Sequence, residues 1–225
     1  MLIASNSVLK AQSDSLQKRQ ETNTEYRKKK LDKNSWFPIP VYTRNFFSPT
    51  ARTLEKGESI YSNTDLFHNK YDLGFTDHLQ IGVGLTIGIW GTVKLGFQLS
   101  ENLYVAGGIQ YGALLLSHAH ISHLPMVYGI ATFGSKNDNI TVGGGSFNNN
   151  AYLSISGMTR IYERLALITD NFIFDDRGDH AFISASGIRY YREKTSFDLA
   201  LGLAGSDGLY SYLYPFPYLS VLKVF

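Results

Sequence analysis

The sequence contains no cysteine. That removes a disulfide framework, a thiolate nucleophile and a cysteine zinc site together, and it fits either side of a membrane. Net charge is scarce too. At +2 over 225 residues, no broad basic field points to a nucleic-acid partner. No run approaches the ~18 consecutive apolar residues of a membrane helix, and "ALLL" at 113–116 is about the longest aliphatic stretch. A helical membrane protein is thereby excluded. A strand-based one is not, because alternation dilutes its apolar residues two-fold. Helical periodicity is absent beyond the N-terminal tail, so the chain reads as all-β.

Glycine (21), tyrosine (15) and phenylalanine (14) are plentiful, and from Glu58 onward the hydrophobic period is two. "QIGVGLTIGI" sets Ile81, Val83, Leu85, Ile87 and Ile89 against Gln80, Gly82, Gly84, Thr86 and Gly88. "TVKLGFQL" and "SFDLALGL" alternate in the same way, as half-buried strands do. About twelve such runs follow one another, with approximate spans 58–67, 68–76, 79–89, 91–99, 102–115, 122–134, 138–147, 150–162, 164–174, 179–192, 195–204 and 209–225. Several match the ~9–11 residues that cross a bilayer at a tilt. Alternate connections are tight and polar: 76–78, 100–102, 136–139, 163–164 and 193–195. The intervening ones, "WG" (90–91), "SHAHIS", "NNN", "DDRGD" and "GSDG", are slightly longer. One uniformly tight rim is what the periplasmic side of an outer-membrane barrel presents.

Alternation does not say which face is inside. Three features favour lipid outside. The polar face is rich in glycine (Gly82, Gly84, Gly88, Gly96, Gly108, Gly112) where a solvated surface carries charge. Aromatics gather near strand ends (Trp90, Tyr104, Tyr162, Tyr190, Tyr191 and the run 210–218), as interfacial girdles do. The chain ends on an amphipathic strand with Leu219, Val221 and Phe225 on its apolar face, interrupted by Lys223. The predicted fold is a closed antiparallel transmembrane β-barrel of about twelve strands behind an N-terminal extended or disordered periplasmic segment. In domain terms, 1–12 reads as a signal-peptide remnant with cleavage near Ala11 or Gln12, 13–57 as the periplasmic segment and 58–225 as the barrel. "WFPIPVY" (36–42) is broken by Pro38 and Pro40 and reads as an extended anchor.

The stretch Arg44, Phe46, Phe47, Pro49, Thr50, Ala51, Leu54, Lys56, Gly57, Glu58, Tyr61, Asn63 resembles the opening of a group of Bacteroidota-type outer-membrane barrels, over residues ~44–85. The resemblance implies architecture and a bacterial outer-membrane location. It implies no activity. On this reading Arg44–Thr53 approaches along the periplasmic rim, "EKG" launches the first strand, and Trp36, Phe37, Arg44, Phe46 and Phe47 are rim or docking residues.

Candidate chemistry is sparse. Asp72, Lys94, Gln98, Arg160, Asp170, Arg189 and Asp198 fall on the polar face as lumen-lining groups, either plugging the lumen or lining a wet pore. "SHAHISHL" holds three of the six histidines. His118 and His120 at i, i+2 are a weak metal pair with no carboxylate beside them. His120-Ile121-Ser122 resembles the His-x-Ser pair of outer-membrane phospholipases and lipid A deacylases. There the histidine activates the serine, and Asn148, Asn149 or Asn150 would have to orient the histidine. Arg-Gly-Asp at 177–179 is more simply turn chemistry. The leading expectation is a passive role without enzymatic activity or cofactor, as a narrow pore for small solutes or a structural barrel. The alternatives are a non-conducting accessory subunit of a larger outer-membrane complex and a lipid hydrolase at His120 and Ser122. Expected partners are the lipid bilayer and lipopolysaccharide, with other outer-membrane proteins under the accessory reading.

Overall fold

The protein is described here from a computed structural model covering residues 18–19, 21, 36–86, 88–115, 121–176, 179–206 and 213–225, with the backbone alone at 114, 115, 121, 122, 176 and 179. Residues 39–225 form one compact unit. It is a closed barrel of twelve antiparallel strands, each bonded to its sequence neighbours and the last to the first. They are β1 (Ser59–Thr64), β2 (His68–Gly74), β3 (Leu79–Leu85), β4 (Gly88–Ser100), β5 (Leu103–Leu115), β6 (Ile121–Gly134), β7 (Asp138–Phe147), β8 (Asn150–Tyr162), β9 (Leu165–Asp176), β10 (Asp179–Arg192), β11 (Thr195–Ser206) and β12 (Leu213–Val224). Among the described residues no helix is long and apolar enough to cross a membrane.

The alternating pattern decides which way each strand faces. Ile81, Val83 and Leu85 on β3, Val93, Leu95 and Phe97 on β4, and Phe197, Leu199 and Leu201 on β11 point outward and are exposed. Gln80, Lys94 and Asp198, one residue out of phase with them, point inward and are buried. A soluble barrel would be the reverse; an apolar exterior around a polar interior is the transmembrane arrangement. Closure pairs Ile60 with Val224 and Thr64 with Ser220, and Phe225 N–H donates to the Ser59 carbonyl at 2.9 Å. No backbone edge is left around most of the ring, as a hydrocarbon solvent requires.

The local chemistry accounts for the turns. Gly57 has φ +84 and Glu58 N–H donates to the Glu55 carbonyl, so 55–58 reverses the chain into β1. Asn148 and Asn149 both have positive φ, which a two-residue type I′ hairpin needs and asparagine tolerates. Asp65 and Leu66 do the same, ending β1 at Thr64 instead of carrying it to 67. The connection expected at Trp90-Gly91 falls elsewhere. Both residues lie inside β4, and the chain turns between Leu85 and Gly88. The reason is inside the lumen, where the Trp90 ring lies flat against Gly112. A Cβ at Gly112 would sit 2.4 Å from that ring.

Trp90 also corrects the expected aromatic girdle. Trp90, Tyr104 and Tyr191 share the inward face of their strands, and Tyr191 is fully buried there. Tyr162 and Tyr190 are the ones exposed outside. Lys223 lies on the outward face close to the end of β12, its Nζ 4.9 Å from the Phe225 ring centre. That placement lets its stem lie along apolar surface with the ammonium near the rim.

The wall is not of even height. β4, β5, β6, β8 and β10 run 13 or 14 residues, whereas β1, β2 and β3 run 6 or 7. Consequently β12 pairs with β1 only as far as Ser220, plus the Asp65–Leu219 contact. No described strand covers the β1 side of 213–218. Leu219 and Phe225 turn their N–H groups toward β1, and two-residue parity puts Pro217 and Pro215 on the same side. The prolines thus stand where an N–H would have no acceptor, a place where a strand accepts them without loss.

Candidate functional site

The lumen is occupied by the chain itself. Residues 43–50 form a small hairpin: Arg44 bridges Pro49, Thr50 N–H donates to the Thr43 carbonyl at 2.9 Å, and Asn45 N–H to the Ser48 carbonyl at 2.9 Å. Val41, Phe46 and Leu54 are fully buried. The hairpin enters from the rim that carries the tight turns, and its tip reaches about mid-height of the wall. Arg44, Phe46 and Phe47, expected along the rim, therefore lie inside the barrel.

A loop inside a barrel brings backbone polar groups that helix or sheet cannot pair. The inward side chains of the wall pair them. Phe47 N–H and Ser48 N–H both donate to Asp170 Oδ2 at 2.8 Å, and the Ser48 hydroxyl donates to Oδ1. Arg189 Nη1 donates to the Arg44 carbonyl at 3.0 Å and Nη2 to the Asn45 carbonyl at 2.9 Å. The Tyr218 hydroxyl donates to the Phe46 carbonyl at 2.9 Å. Lys94 Nζ donates to three carbonyls, Arg52 at 2.7 Å, Thr50 at 3.3 Å and Thr43 at 3.5 Å. Ala51 N–H reaches Thr132 Oγ1 at 2.7 Å, and Leu54 N–H reaches Gln80 Oε1 at 3.3 Å.

Arg189 is held for this task. It stands directly opposite Asp198 in the β10–β11 register, with Nε–Oδ1 2.6 Å and Nη2–Oδ2 2.8 Å, both side chains wholly buried. A bidentate guanidinium–carboxylate pair fixes the fork and leaves its remaining donors for the hairpin. Glycine gives the hairpin room: a Cβ at Gly96 would lie 2.7 Å from the Ala51 carbonyl oxygen. Aromatic contacts complete the seat. Phe46 and Tyr218 lie 5.1 Å apart by ring centroid, and Phe47 meets Tyr218 edge-on at 4.9 Å.

At the base, the turn between β6 and β7 clamps the chain. Lys136 lies 3.9 Å from the Tyr42 ring and 3.6 Å from Glu55; Arg52 stacks on Tyr104 at 3.7 Å and donates to the Gly134 carbonyl at 2.6 Å. The Tyr42 hydroxyl donates to Glu58 Oε2 at 2.8 Å. Burial, then that bond to Glu58, raises its pKa above the ordinary tyrosine value.

The remaining expected lumen residues do other work. Asp72 is buried and pairs with Lys70 at 3.1 Å. Arg160 is buried near the turn rim, where it donates to Asn137 Oδ1 at 2.9 Å and to the Glu163 carbonyl. Gln98 is exposed at that rim and donates to the Ser100 carbonyl at 3.0 Å. Ser48, Gln80, Thr132 and Tyr218 contribute to the seat without having been singled out in the sequence. Their alternation marked the strand residues as inward-facing, but nothing local showed what they would meet.

Beyond the hairpin, toward the opposite rim, the lumen holds a cavity of about 400 Å³, within the roughly 300–1,000 Å³ of small-molecule sites. Phe47 and Pro49 of the hairpin form its floor.

Three comparisons bear on the fold. The barrel superposes on a solved structure. It is a KdgM porin, matched with a TM-score of 0.54 at 6% sequence identity over 75% of this chain and 98% of that one. At that identity the likeness carries architecture alone. No family model matches the sequence. No curated protein matches it either.

His118, His120, Arg177 and Gly178 lie outside the described residues, and Ser122 and Asp179 are described by backbone only. His123 faces outward, with its Nδ1 2.5 Å from the Tyr111 hydroxyl. Asn148 and Asn149 make the β7–β8 turn, and Asn150 opens β8. Among the described residues no group of three or more His, Asp or Glu is placed to hold a metal. Trp36 and Phe37 are half-buried and precede the compact unit of residues 39–225.

Proposed function

We propose that the protein is a barrel of the bacterial outer membrane that is closed in its resting state, the structural-barrel form of the passive role. One observation carries the reading: Lys94, Asp170 and Arg189 direct hydrogen bonds to the backbone of residues 43–52, the hairpin and its exit. Charges that line a wet pore face water; these face the plug. The apolar exterior supports the membrane location. The tight-turn rim and the opening motif support a periplasmic orientation for that rim and a Bacteroidota-type origin. Partners are then the bilayer and lipopolysaccharide.

Planar-bilayer recording tests this on folded protein, with folding checked by heat-modifiable migration. The intact chain is expected to be silent. An Asp170→Ala/Arg189→Ala variant, whose hairpin loses its seat, is expected to give discrete openings. Defined steps from the intact chain would overturn closure.

A second reading, an accessory subunit of a larger outer-membrane complex, is supported by the charged stretch 13–35 and the proline-broken apolar segment "WFPIPVY" (36–42), which suit a docking arm. Stoichiometric partners retained in a mild-detergent purification, and lost when residues 1–38 are removed, are its expected signature.

A further inference from the structure

We infer that the cavity beyond the hairpin is a binding cup for a small organic monoanion with an apolar or aromatic body. The inference rests on the hairpin closing the lumen beneath it. The two walls of the cup differ in chemistry. β2 and the hairpin present Lys70, Asp72 and Arg44. Across the lumen, half a ring of strands away, β7 and β9 present Phe147, Phe172 and Phe174. Phe172 and Phe174 lie parallel at 6.0 Å, with Phe147 edge-on to Phe174 at 6.5 Å.

The polar wall is incompletely satisfied. Arg44 Nη1 donates to Ser62 Oγ at 3.2 Å, and Nη2 donates to the Phe46 carbonyl and to the Tyr218 hydroxyl, the latter at 3.2 Å, while its buried Nε has no acceptor. An orphan buried guanidinium N–H calls for an explanation, since buried donors are almost always paired. A carboxylate seated between Arg44 Nε and Lys70 supplies the acceptor through a charge-assisted hydrogen bond. Lys94 also lines the cavity; hairpin carbonyls take its donors, but neutral carbonyls leave its charge in place. Asp72 in the wall and Asp170 beneath the hairpin balance two of the three cations Arg44, Lys70 and Lys94. One net positive charge remains, which suits a monoanion better than a polyanion. The facing rings offer an organic body its stacking surface.

The probe is 3-phenylpropionate, titrated into the full chain in lipid nanodiscs by calorimetry and ligand-observed NMR. Saturable binding is expected, with the uncharged 3-phenylpropanol about tenfold weaker or worse, the loss of one charge-assisted contact. Lys70→Met is expected to weaken the anion by a similar factor. Phe174→Ala is expected to weaken both compounds, because it removes the stacking wall and leaves the charge. Heat-modifiable migration verifies that each variant is folded. No saturable binding to the intact protein, equal binding of the alcohol, or folded variants that bind as the parent does would each overturn the cup. Conductance separates the two readings: a silent barrel that binds nothing removes the cup and leaves closure standing, and a conducting barrel removes closure whatever it binds.

Discussion

Arg189 and Asp170 carry the largest expected single-residue effects. Arg189→Met leaves Asp198 buried without its partner, which costs about 3–5 kcal/mol in comparable pairs, and it also strands the Arg44 and Asn45 carbonyls. Urea unfolding from lipid vesicles is expected to show that loss. The double change Arg189→Met/Asp198→Leu is expected to cost less than the sum of the two singles, as coupled partners do. Asp170→Asn keeps the shape but replaces one acceptor oxygen with a donor, facing Phe47 N–H and Ser48 N–H. A loss of about 1–3 kcal/mol is expected by the same measurement. Gly112→Val is a steric counterpart, since the Trp90 ring occupies the space of the new side chain. In a Trp36→Phe background the remaining tryptophan emission is expected to shift as that ring is displaced.

The hairpin and the upper half of β12 are the elements on which the molecule turns. Removing residues 1–57 deletes the plug and leaves the strands their complete ring of partners. The truncated barrel is expected to retain heat-modifiable migration and to conduct, with reduced thermal stability from the unpaired Lys94, Asp170 and Arg189. Pro215 and Pro217 protect an open edge. Pro215→Val/Pro217→Val restores two N–H groups facing the short β1 side, where no described strand receives them. Unpaired edges recruit strands from other molecules, so sedimentation in detergent is expected to show larger species for the variant than for the parent.

Across the whole molecule, orientation relative to lipid decides stability. Leu199 is 54% exposed on the outward face of β11. Leu199→Arg puts a charge against hydrocarbon, and a loss of about 2–4 kcal/mol is expected if it lies near the midplane. A soluble barrel, with that face in water, would tolerate the change within about 0.5 kcal/mol. Vesicle unfolding therefore tests the membrane assignment through a single substitution.

The sequence by itself determined the strands and their faces. A period of two is a local property, so Ile81, Lys94 and Asp198 declared their sides without reference to partners, and turn residues such as Asn148 and Gly57 declared the reversals. The short reach of that signal also explains where it misled. Trp90-Gly91 reads as a turn because tryptophan beside glycine breaks an alternation. What keeps Trp90 within β4 is Gly112 on the next strand, more than twenty residues away. The role of the lumen charges was decided only by the tertiary structure. Lys94, Asp170 and Arg189 carry the same pattern in a wet pore as in a plugged one. Their partners are backbone groups between Thr43 and Arg52, brought to them by closure of the ring. Backbone N–H and C=O groups are common to every residue and leave no trace in side-chain sequence. "RNFFSPT" could therefore announce a loop, but only a folded barrel could show that the loop fills it.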